Sequence, residues 1–326
     1  NDGNDGNDGN DGNDGNDGDG ERFNGTELRF DNLCYSVTLA NGDEKQILTN
    51  VSGIAKPGNV VALMGPSGAG KTTLLDVIAG RKTGGKIEGR IFLNGIIKNN
   101  TFPRYTGYCE QMDSHMPTLT VKEALFVSAS LRLDASDEIR KNNVNKVIKQ
   151  LLLTNYQDQM IGVPGLNGVS PEIRKLVTIA VELVCSPAVL FLDEPTTGLD
   201  SSSALATMHL CQQIAKSDGI AILCTIHQPA TEIFDLFDVL LLLQKGGRVS
   251  YFGNTSAMVE YFEEQCGAPP LAQGENPADF SLTCASMAAF RVQNQKFATS
   301  ADVFEQYQKR EQESKQQIRS EQHPDA

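Results

Sequence analysis

An apolar run followed at once by a glycine-rich loop is the feature that most constrains how this chain can fold. Val60–Met64 consists of apolar residues only, and residues 65–72 read Gly-Pro-Ser-Gly-Ala-Gly-Lys-Thr. This loop fits the pattern GxxxxGK[ST], which belongs between a β-strand and an α-helix, and Lys71–Ala79 can form that helix. The main-chain N–H groups of such a loop, together with the helix N-terminus, wrap a phosphate group. The sequence therefore predicts a phosphate-binding loop within an α/β domain.

The residues of this loop have distinct predicted roles in binding MgATP. Three glycines allow main-chain N–H groups to surround the β-phosphate. The Lys71 ammonium places a point charge on the β- and γ-phosphates and is also predicted to be catalytic, and the Thr72 hydroxyl is predicted to be a Mg²⁺ ligand. The ATP-binding residues predicted here are Gly65, Pro66, Ser67, Gly68, Ala69, Gly70, Lys71, Thr72 and Thr73.

Two carboxylates follow a second apolar strand. Val189–Leu192 is apolar and is followed directly by Asp193 and Glu194. Ligands of open α/β sheets bind at the carboxyl ends of the strands. Asp193 is therefore predicted to bind ATP through Mg²⁺, and Glu194 is predicted to polarise the attacking water as a catalytic residue. Acidic residues at strand ends are often only solvated caps. This pair is informative because the same chain also contains the phosphate-loop motif.

Segments with strand and helix patterns alternate along the chain, which predicts a parallel sheet flanked by helices. Ile87–Leu93 alternates and ends in the turn dipeptide Asn94-Gly95, so an antiparallel β subdomain is expected beside the parallel core. The other predicted strands are Glu27–Val37, Val60–Met64, Val189–Leu192, Ile220–Thr225 and Val239–Leu243. The other predicted helices are Val121–Leu133, Ser136–Leu153, Glu172–Cys185, Ser202–Ala215 and an exposed helix at Glu305–Ser320.

Composition and charge narrow the possible classes of protein. The formal net charge of −13 argues against a nucleic-acid partner, since phosphate contacts need clustered Lys and Arg. The seven cysteines include no CxxC pair, which favours a reducing compartment and no zinc site. No apolar run approaches the roughly 18 residues of a membrane span. The Asn-Asp-Gly repeat has no apolar side chain to bury, so residues 1–20 are predicted to be a disordered spacer.

Further motifs follow the carboxylates in a recognisable order. Residues 195–200 read Pro-Thr-Thr-Gly-Leu-Asp, and residues 226–229, after the next strand, read Ile-His-Gln-Pro. With the loop and the carboxylates, this order resembles the nucleotide-binding domain of ABC transporters, a P-loop NTPase with a helical subdomain. The resemblance implies that His227 is a catalytic residue that reaches the γ-phosphate of bound ATP. It also implies that Asp200 contacts a partner domain.

Other segments indicate which ABC subfamily the chain resembles. Residues 225–229, 249–253 and 275–280 resemble the G subfamily, in which the nucleotide domain precedes the membrane domain. Residues 111–125 resemble the second nucleotide domain of full-size pleiotropic-drug-resistance transporters. The resemblance implies an ATPase that powers export across a membrane. It also implies that Gln111 binds ATP and Mg²⁺.

The resemblance also implies a domain organisation. Residues 21–266 are expected to form the nucleotide-binding domain, with its helical subdomain at about 118–186. Residues 267–326 are expected to be a peripheral tail or linker toward a transmembrane domain that is absent from this chain. The expected partner is a second ABC nucleotide-binding domain in the same full-length polypeptide. The expected location is the cytoplasmic face of a membrane, the plasma membrane, through the missing domain.

The signature segment departs from the family pattern. Family members read Val-Ser-Gly-Gly-Glu or Leu-Ser-Gly-Gly-Gln, whereas residues 169–173 read Val-Ser-Pro-Glu-Ile. The resemblance implies that Ser170 contacts ATP held by the partner domain, but Pro171 has no N–H to donate and Glu172 adds negative charge. The three residues still make a good helix start. The segment is therefore expected to cap a helix without binding phosphate, so the ATP sites of the transporter are expected to be asymmetric.

Family members often stack an aromatic residue on adenine. Tyr35 lies near that place in the sequence, but Val37 occupies it in the favoured register.

Two rival functions remain open. A soluble ABC ATPase acting on ribosomes or nucleic acid is disfavoured by the acidic balance and by residues 276–280. A non-hydrolysing regulatory domain is disfavoured because the expected catalytic set is intact, namely Lys71, Asp193, Glu194 and His227.

Overall fold

The fold is that of a computed structural model, which describes residues 25–286 and 304–313. The predicted disordered repeat at residues 1–20 lies outside the described residues. The described strands form two sheets. They are β1 (Leu28–Thr38), β2 (Glu44–Ala55), β3 (Val60–Met64), β4 (Lys86–Leu93), β5 (Ile96–Ile97), β6 (Thr106–Cys109), β7 (Val189–Asp193), β8 (Ala221–Thr225), β9 (Val239–Gln244) and β10 (Arg248–Asn254).

The larger sheet has the order β10-β9-β3-β8-β7-β6, and its strands are parallel apart from the edge strand β10. Each residue of β3, β7 and β8 is buried, as expected for parallel strands covered on both faces. Successive side chains enter different cores, because a strand alternates its faces. Ala62 and Met64 pack in one core, while Val61 and Leu63 pack in the other.

The smaller sheet has the order β2-β1-β4-β5 and is antiparallel. The predicted turn at Asn94-Gly95 joins β4 to β5, and both residues have positive φ, at 50° and 77°. Two successive positive φ values match the twist of a tight hairpin. This sheet adds Leu28, Phe30 and Leu33 to the core that contains Val61. The parallel sheet beside an antiparallel sheet agrees with the predicted architecture.

The helices cover the parallel sheet. They are α1 (Lys71–Ala79), α2 (Val121–Arg132), α3 (Asp137–Gln150), α4 (Pro171–Leu183), α5 (Ser201–Asp218), α6 (Thr231–Phe234), α7 (Met258–Glu260), α8 (Pro277–Ser286) and α9 (residues 304–313). The chain enters α2 through a capping box, in which Thr120 and Glu123 each accept a hydrogen bond from the other's main-chain N–H. The helices α2, α3 and α4 contact one another and carry the segments that the sequence assigned to a helical subdomain.

The structure differs from the sequence expectation in several strands and in the tail. The strands β2, β6 and β10 were not predicted, because glycines and polar residues interrupt their apolar pattern. The short strand β5 was not predicted either. The expected peripheral tail begins with a helix that belongs to the core: Ala278 and Phe280 of α8 are buried beside Phe262. Part of the expected exposed helix at 305–320 is α9, whose Tyr307 packs edge-on against Phe252. Among the residues that the structure describes, no helix combines the length and the apolar character needed to cross a membrane.

Candidate nucleotide-binding site

The glycine-rich loop leads from the buried strand β3 directly into α1. A Cβ atom on Gly65 would lie 2.6 Å from the Leu243 carbonyl oxygen, so no other residue fits there without a shift of backbone. Gly70 has a φ of 97°, and a Cβ on it would lie 3.0 Å from Leu48. These glycines therefore bring the loop close to β9 and β2, with the N-terminus of α1 at its end. A helix N-terminus in such a loop binds phosphate readily.

Lys71 is held over the same loop. Its side chain is only 8% exposed, and Nζ donates a hydrogen bond to the Gly65 carbonyl oxygen at 2.8 Å. Burial lowers the pKa of this ammonium, while the nearby carboxylates of Glu194 and Asp193 act in the opposite direction. A buried charge is costly unless it is paired, and a phosphate held in the loop would give Lys71 a direct anionic partner.

Asp193 ends β7 beside the loop. Its Oδ1 accepts hydrogen bonds from Thr225 Oγ1 at 2.6 Å and from Thr72 Oγ1 at 3.2 Å. Burial raises the pKa of this carboxyl, and the two hydroxyl donors oppose that shift. Thr72 and Asp193, predicted separately from the sequence, are therefore brought together by the strands β3 and β7 that flank β8.

Glu194 follows Asp193 in a left-handed backbone conformation, with a φ of 49°. Its N–H donates to Thr225 Oγ1 at 2.8 Å. Its Oε2 accepts from Gln111 Nε2 at 2.8 Å and from Thr197 Oγ1 at 2.9 Å. Gln111, which follows β6, is thus in contact with the second carboxylate of the pair.

Thr225 was missed by sequence reasoning, although it connects the two acidic residues. Its hydroxyl donates to Asp193 and accepts from the Glu194 N–H. Thr225 ends β8 and is paired in register with Asp193. A hydroxyl residue at the end of the strand next to the acidic one is the signal that could have indicated it.

His227 lies just beyond the end of β8, at the same edge of the sheet as Asp193. Its side chain is exposed. The next residue, Gln228, has a positive φ of 42°. The loop continues to Pro229, whose carbonyl oxygen accepts a hydrogen bond from Asn276 Nδ2 at 2.8 Å. The loop that carries His227 is therefore hydrogen-bonded to the residue just before α8.

The two residues predicted to contact a partner domain lie at the starts of two helices, α4 and α5. Asp200 caps α5: its carboxylate accepts from the N–H groups and hydroxyls of Ser202 and Ser203, at 2.7 to 3.0 Å. These bonds hold the pKa of Asp200 well below its usual range. Ser170 precedes α4, which begins at Pro171, one residue before the predicted start, and its hydroxyl makes no capping hydrogen bond within the described part of the chain. Glu172 lies in the first turn of the helix.

Tyr35 is unsuited to stacking on adenine. Its ring is buried in the core, and its hydroxyl donates to the Gly84 carbonyl oxygen at 3.0 Å. Val37, two residues later, is only partly buried against the same core. The Tyr35 ring is therefore not free to stack on a base, and the register that places Val37 at the adenine position stays a prediction.

Two family models match the chain. The ABC transporter model matches residues 48–197, and the ABC-2 type transporter model matches residues 227–316. The second match corrects the expectation that the transmembrane domain is absent from this chain. That expectation was wrong: it rested on the domain order of the G subfamily and on the lack of a long apolar run, but the transporter family model matches residues 227–316. The match begins at His227 and includes α8.

Solved ATP-binding cassettes share the fold. A dimeric cassette in a post-hydrolysis state, bound to ADP and Pi, aligns with a TM-score of 0.59 at 24% identity, covering 70% of this chain and 98% of that chain. A second, cbiO1 of Clostridium perfringens, part of the ABC transporter complex cbiONQ, has a TM-score of 0.61 at 24% identity and covers 73% and 91%. These likenesses confirm the predicted α/β fold of the ABC type.

Plant transporters are similar in sequence. ABC transporter G family member 38 of Oryza sativa subsp. japonica is 48% identical over 254 residues, covering 76% of this chain and 17% of that protein. ABC transporter G family member 43 of Arabidopsis thaliana is 45% identical over 274 residues, covering 82% and 20%. The chain therefore spans a fifth or less of the length of these relatives. With the two family matches, these identities show that the chain is an ABC-type ATPase that belongs to the ABC transporter G family.

Proposed function

We propose that this chain binds MgATP and hydrolyses it in order to power the export of a substrate across a membrane. The observation that carries the proposal is one continuous cluster at the ends of β3, β7 and β8. Lys71, Thr72, Asp193 and Glu194 lie there together, and Gln111 reaches the same cluster from the end of β6. A cationic phosphate loop beside a positioned carboxylate is the arrangement that phosphoryl transfer to water requires.

Glu194 is the group that would orient and polarise the attacking water. Two donors, Gln111 and Thr197, hold its Oε2, and its own N–H is fixed by Thr225. The carboxylate therefore has a defined direction before the substrate arrives, and a positioned base accelerates such steps by roughly 10²–10⁴-fold. Lys71 would meet the β- and γ-phosphates, and His227 would approach the γ-phosphate from the end of β8.

The residues also fit a Mg²⁺ ion bound with the nucleotide. Thr72 Oγ1 and Asp193 Oδ1 lie 3.2 Å apart, and the Gln111 amide is hydrogen-bonded to Glu194, the residue after Asp193. Hard oxygen donors of this kind, one of them a buried carboxylate, suit Mg²⁺ and its preference for one or two carboxylates plus substrate phosphates. When bound, the ion would neutralise charge on the β- and γ-phosphates.

The wider setting of the proposal comes from the family. The family matches and relatives support ATP-driven transport at a membrane, and we infer a position on its cytoplasmic face. The departure at Pro171 and Glu172 supports the finer proposal that this chain resembles the second nucleotide domain of a full-size, drug-resistance-like transporter. A second nucleotide-binding domain would then supply the signature that this chain lacks, which makes the two ATP sites unequal.

A soluble ABC ATPase acting on ribosomes or nucleic acid is not favoured. The relatives named above are transporters of the G family, and the segment from His227 onward matches a transporter family. The net charge of −13 also opposes contact with nucleic-acid phosphates. Nucleic acid that remained bound through purification at moderate salt would favour the soluble ATPase instead.

Replacing Glu194 tests the proposal. In the full-length transporter that contains this chain, Glu194→Gln should keep ATP affinity within about twofold and lower turnover at least about a hundredfold. Glu182→Gln is a matched control, because Glu182 also accepts hydrogen bonds, from the Tyr108 N–H and Arg132, but lies on α4. Turnover in that control should stay within about twofold of wild type. Hydrolysis near the wild-type rate in Glu194→Gln would overturn the assignment and make His227 the next base to test.

A further inference from the structure

A buried cation on α4 connects the helix that follows the signature to the segment carrying Gln111. Lys175 is only 4% exposed. Its Nζ donates to the Gln111 carbonyl oxygen at 3.0 Å and to Asp113 Oδ1 at 2.9 Å. Thr178, one turn later on the same helix, donates to that same Asp113 oxygen at 2.7 Å. Residues 111–113 are therefore fastened to α4 at two points.

The connection continues into the proposed catalytic carboxylate. Gln111 is held to α4 by its carbonyl oxygen, and its side-chain amide donates to Glu194 Oε2 at 2.8 Å. Gln111 therefore links the buried Lys175 ammonium on α4 to Glu194 Oε2 by two hydrogen bonds. Both hydrogen bonds have ordinary lengths, and one of their ends is charged in each case, which makes them stronger than neutral hydrogen bonds.

We propose that Lys175, together with Asp113, positions Glu194 by way of Gln111. The inference rests on the proposed role of Glu194 in polarising water. A shift or rotation of α4 moves the Lys175 ammonium, which moves the Gln111 backbone and changes how its amide holds Glu194. In this proposal neither Lys175 nor Asp113 contacts the nucleotide. Both act on the Glu194 carboxylate indirectly, through Gln111.

Arg174 provides an internal comparison. It is the preceding residue of α4, and at 5% exposure it is as buried as Lys175. Its guanidinium donates to the carbonyl oxygens of Ile161 and Gly162, at 2.7 and 2.9 Å. The two neighbouring cations thus have similar burial and similar numbers of bonds, but only Lys175 bonds to Gln111. A purely structural cation and a positioning cation can therefore be compared on one helix.

The first test compares Lys175→Met with Arg174→Met in the full-length transporter. Lys175→Met should lower kcat for MgATP by about threefold to thirtyfold, the range found for residues in coupling networks, with KM changed by less than about twofold. Arg174→Met should lower the melting temperature but leave kcat within about twofold. Because Lys175→Met leaves Asp113 without its cation and can impair folding, the double variant Lys175→Met/Asp113→Asn is measured as well. It removes both charges and should show the same loss of kcat.

The second test asks whether the effect passes through the Gln111 side chain. In a Gln111→Ala background, replacing Lys175 by Met should cause no further loss of kcat, because the link to Glu194 is already cut. Equal losses in both backgrounds, or a wild-type kcat in the folded double-charge variant, would overturn the inference. Those outcomes leave the proposed function intact as long as Glu194→Gln remains inactive. If Glu194→Gln retains activity, the proposed function fails first and the inference fails with it.

Discussion

Two helices of this chain begin where an ABC site would meet phosphate, and they are built in opposite ways. The first turn of α1 contains Lys71, Thr72 and Thr73, and a glycine-rich loop precedes it. The first turn of α4 contains Pro171 and Glu172, and it follows Ser170. The N-terminus of a helix attracts anions in both cases. At its first position α1 has a cation, Lys71, whereas α4 has Pro171, which lacks an N–H, followed by the acidic Glu172.

The difference teaches that a helix start can be favourable for folding and unfavourable for a ligand. Proline at the first helical position and an acid in the first turn both stabilise a helix. The same two residues remove a donor and repel an approaching phosphate. Glycines do the reverse, because they weaken the local fold and open the backbone to the ligand. The residues of the phosphate loop thus favour contact with a ligand, whereas Pro171 and Glu172 in the signature segment favour helix formation.

The largest effect should come from the phosphate loop. Lys71→Ala should weaken MgATP binding by at least about tenfold, or about 1.4 kcal/mol, because Lys71 is the cation fixed over the loop. Lys98→Ala is a matched control: Lys98 is also partly buried with a lowered pKa, but it donates to the Val77 and Ile78 carbonyl oxygens at the opposite end of α1. The affinity of Lys98→Ala for MgATP should stay within about twofold of wild type. Titration with a fluorescent ATP analogue measures both, and unchanged affinity in Lys71→Ala would remove the loop assignment.

The next effect, on dimerisation and not on ATP affinity, should follow when the start of α4 is given the residues of a binding loop. In a Glu194→Gln chain, replacing Pro171, Glu172 and Ile173 with Gly, Gly and Gln restores main-chain donors and removes the negative charge. This variant should dimerise when ATP is added, with a dissociation constant at least about tenfold lower than that of Glu194→Gln alone. Sedimentation or light scattering measures the mass. Strong ATP-dependent dimers formed with the native signature would contradict the asymmetric sites and indicate a symmetric half-transporter.

Much of the site follows from local sequence, because the loop and the two acidic residues each adjoin a short buried strand. Val60–Met64 and Val189–Leu192 are apolar runs typical of parallel strands buried on both faces. Parallel strands have their carboxyl ends at the same edge of the sheet, so the residues that follow them lie close together. What the sequence could not supply was the contact between strands. Thr225 joins Asp193 to Glu194 only because β7 and β8 are adjacent and in register, and no local pattern encodes that register.

The relation between the Gln111 segment and α4 was missed for a similar reason. Lys175 and Asp113 are separated by 62 positions in the chain, so only the packed structure shows that they form a buried ion pair. The peripheral tail was misjudged because its mean apolar content is low, although Ala278 and Phe280 are buried. Burial of a few well-placed side chains decides whether such a helix joins the core, and composition averages over them.

The smallest expected effect concerns the Ser170 hydroxyl. Asp200 caps α5 with hydrogen bonds to two N–H groups and two hydroxyls, whereas Ser170 precedes α4 without a side-chain capping bond in the described structure. Asp200→Ala should therefore lower the melting temperature by roughly 2–4 °C, as expected for loss of a helix cap in a domain of this size. Ser170→Ala should change it by less than about 1 °C. Differential scanning calorimetry without nucleotide measures both. A loss in Ser170→Ala equal to that in Asp200→Ala would mean that the hydroxyl does cap α4 in solution. A negligible loss would show that the fold does not depend on that hydroxyl.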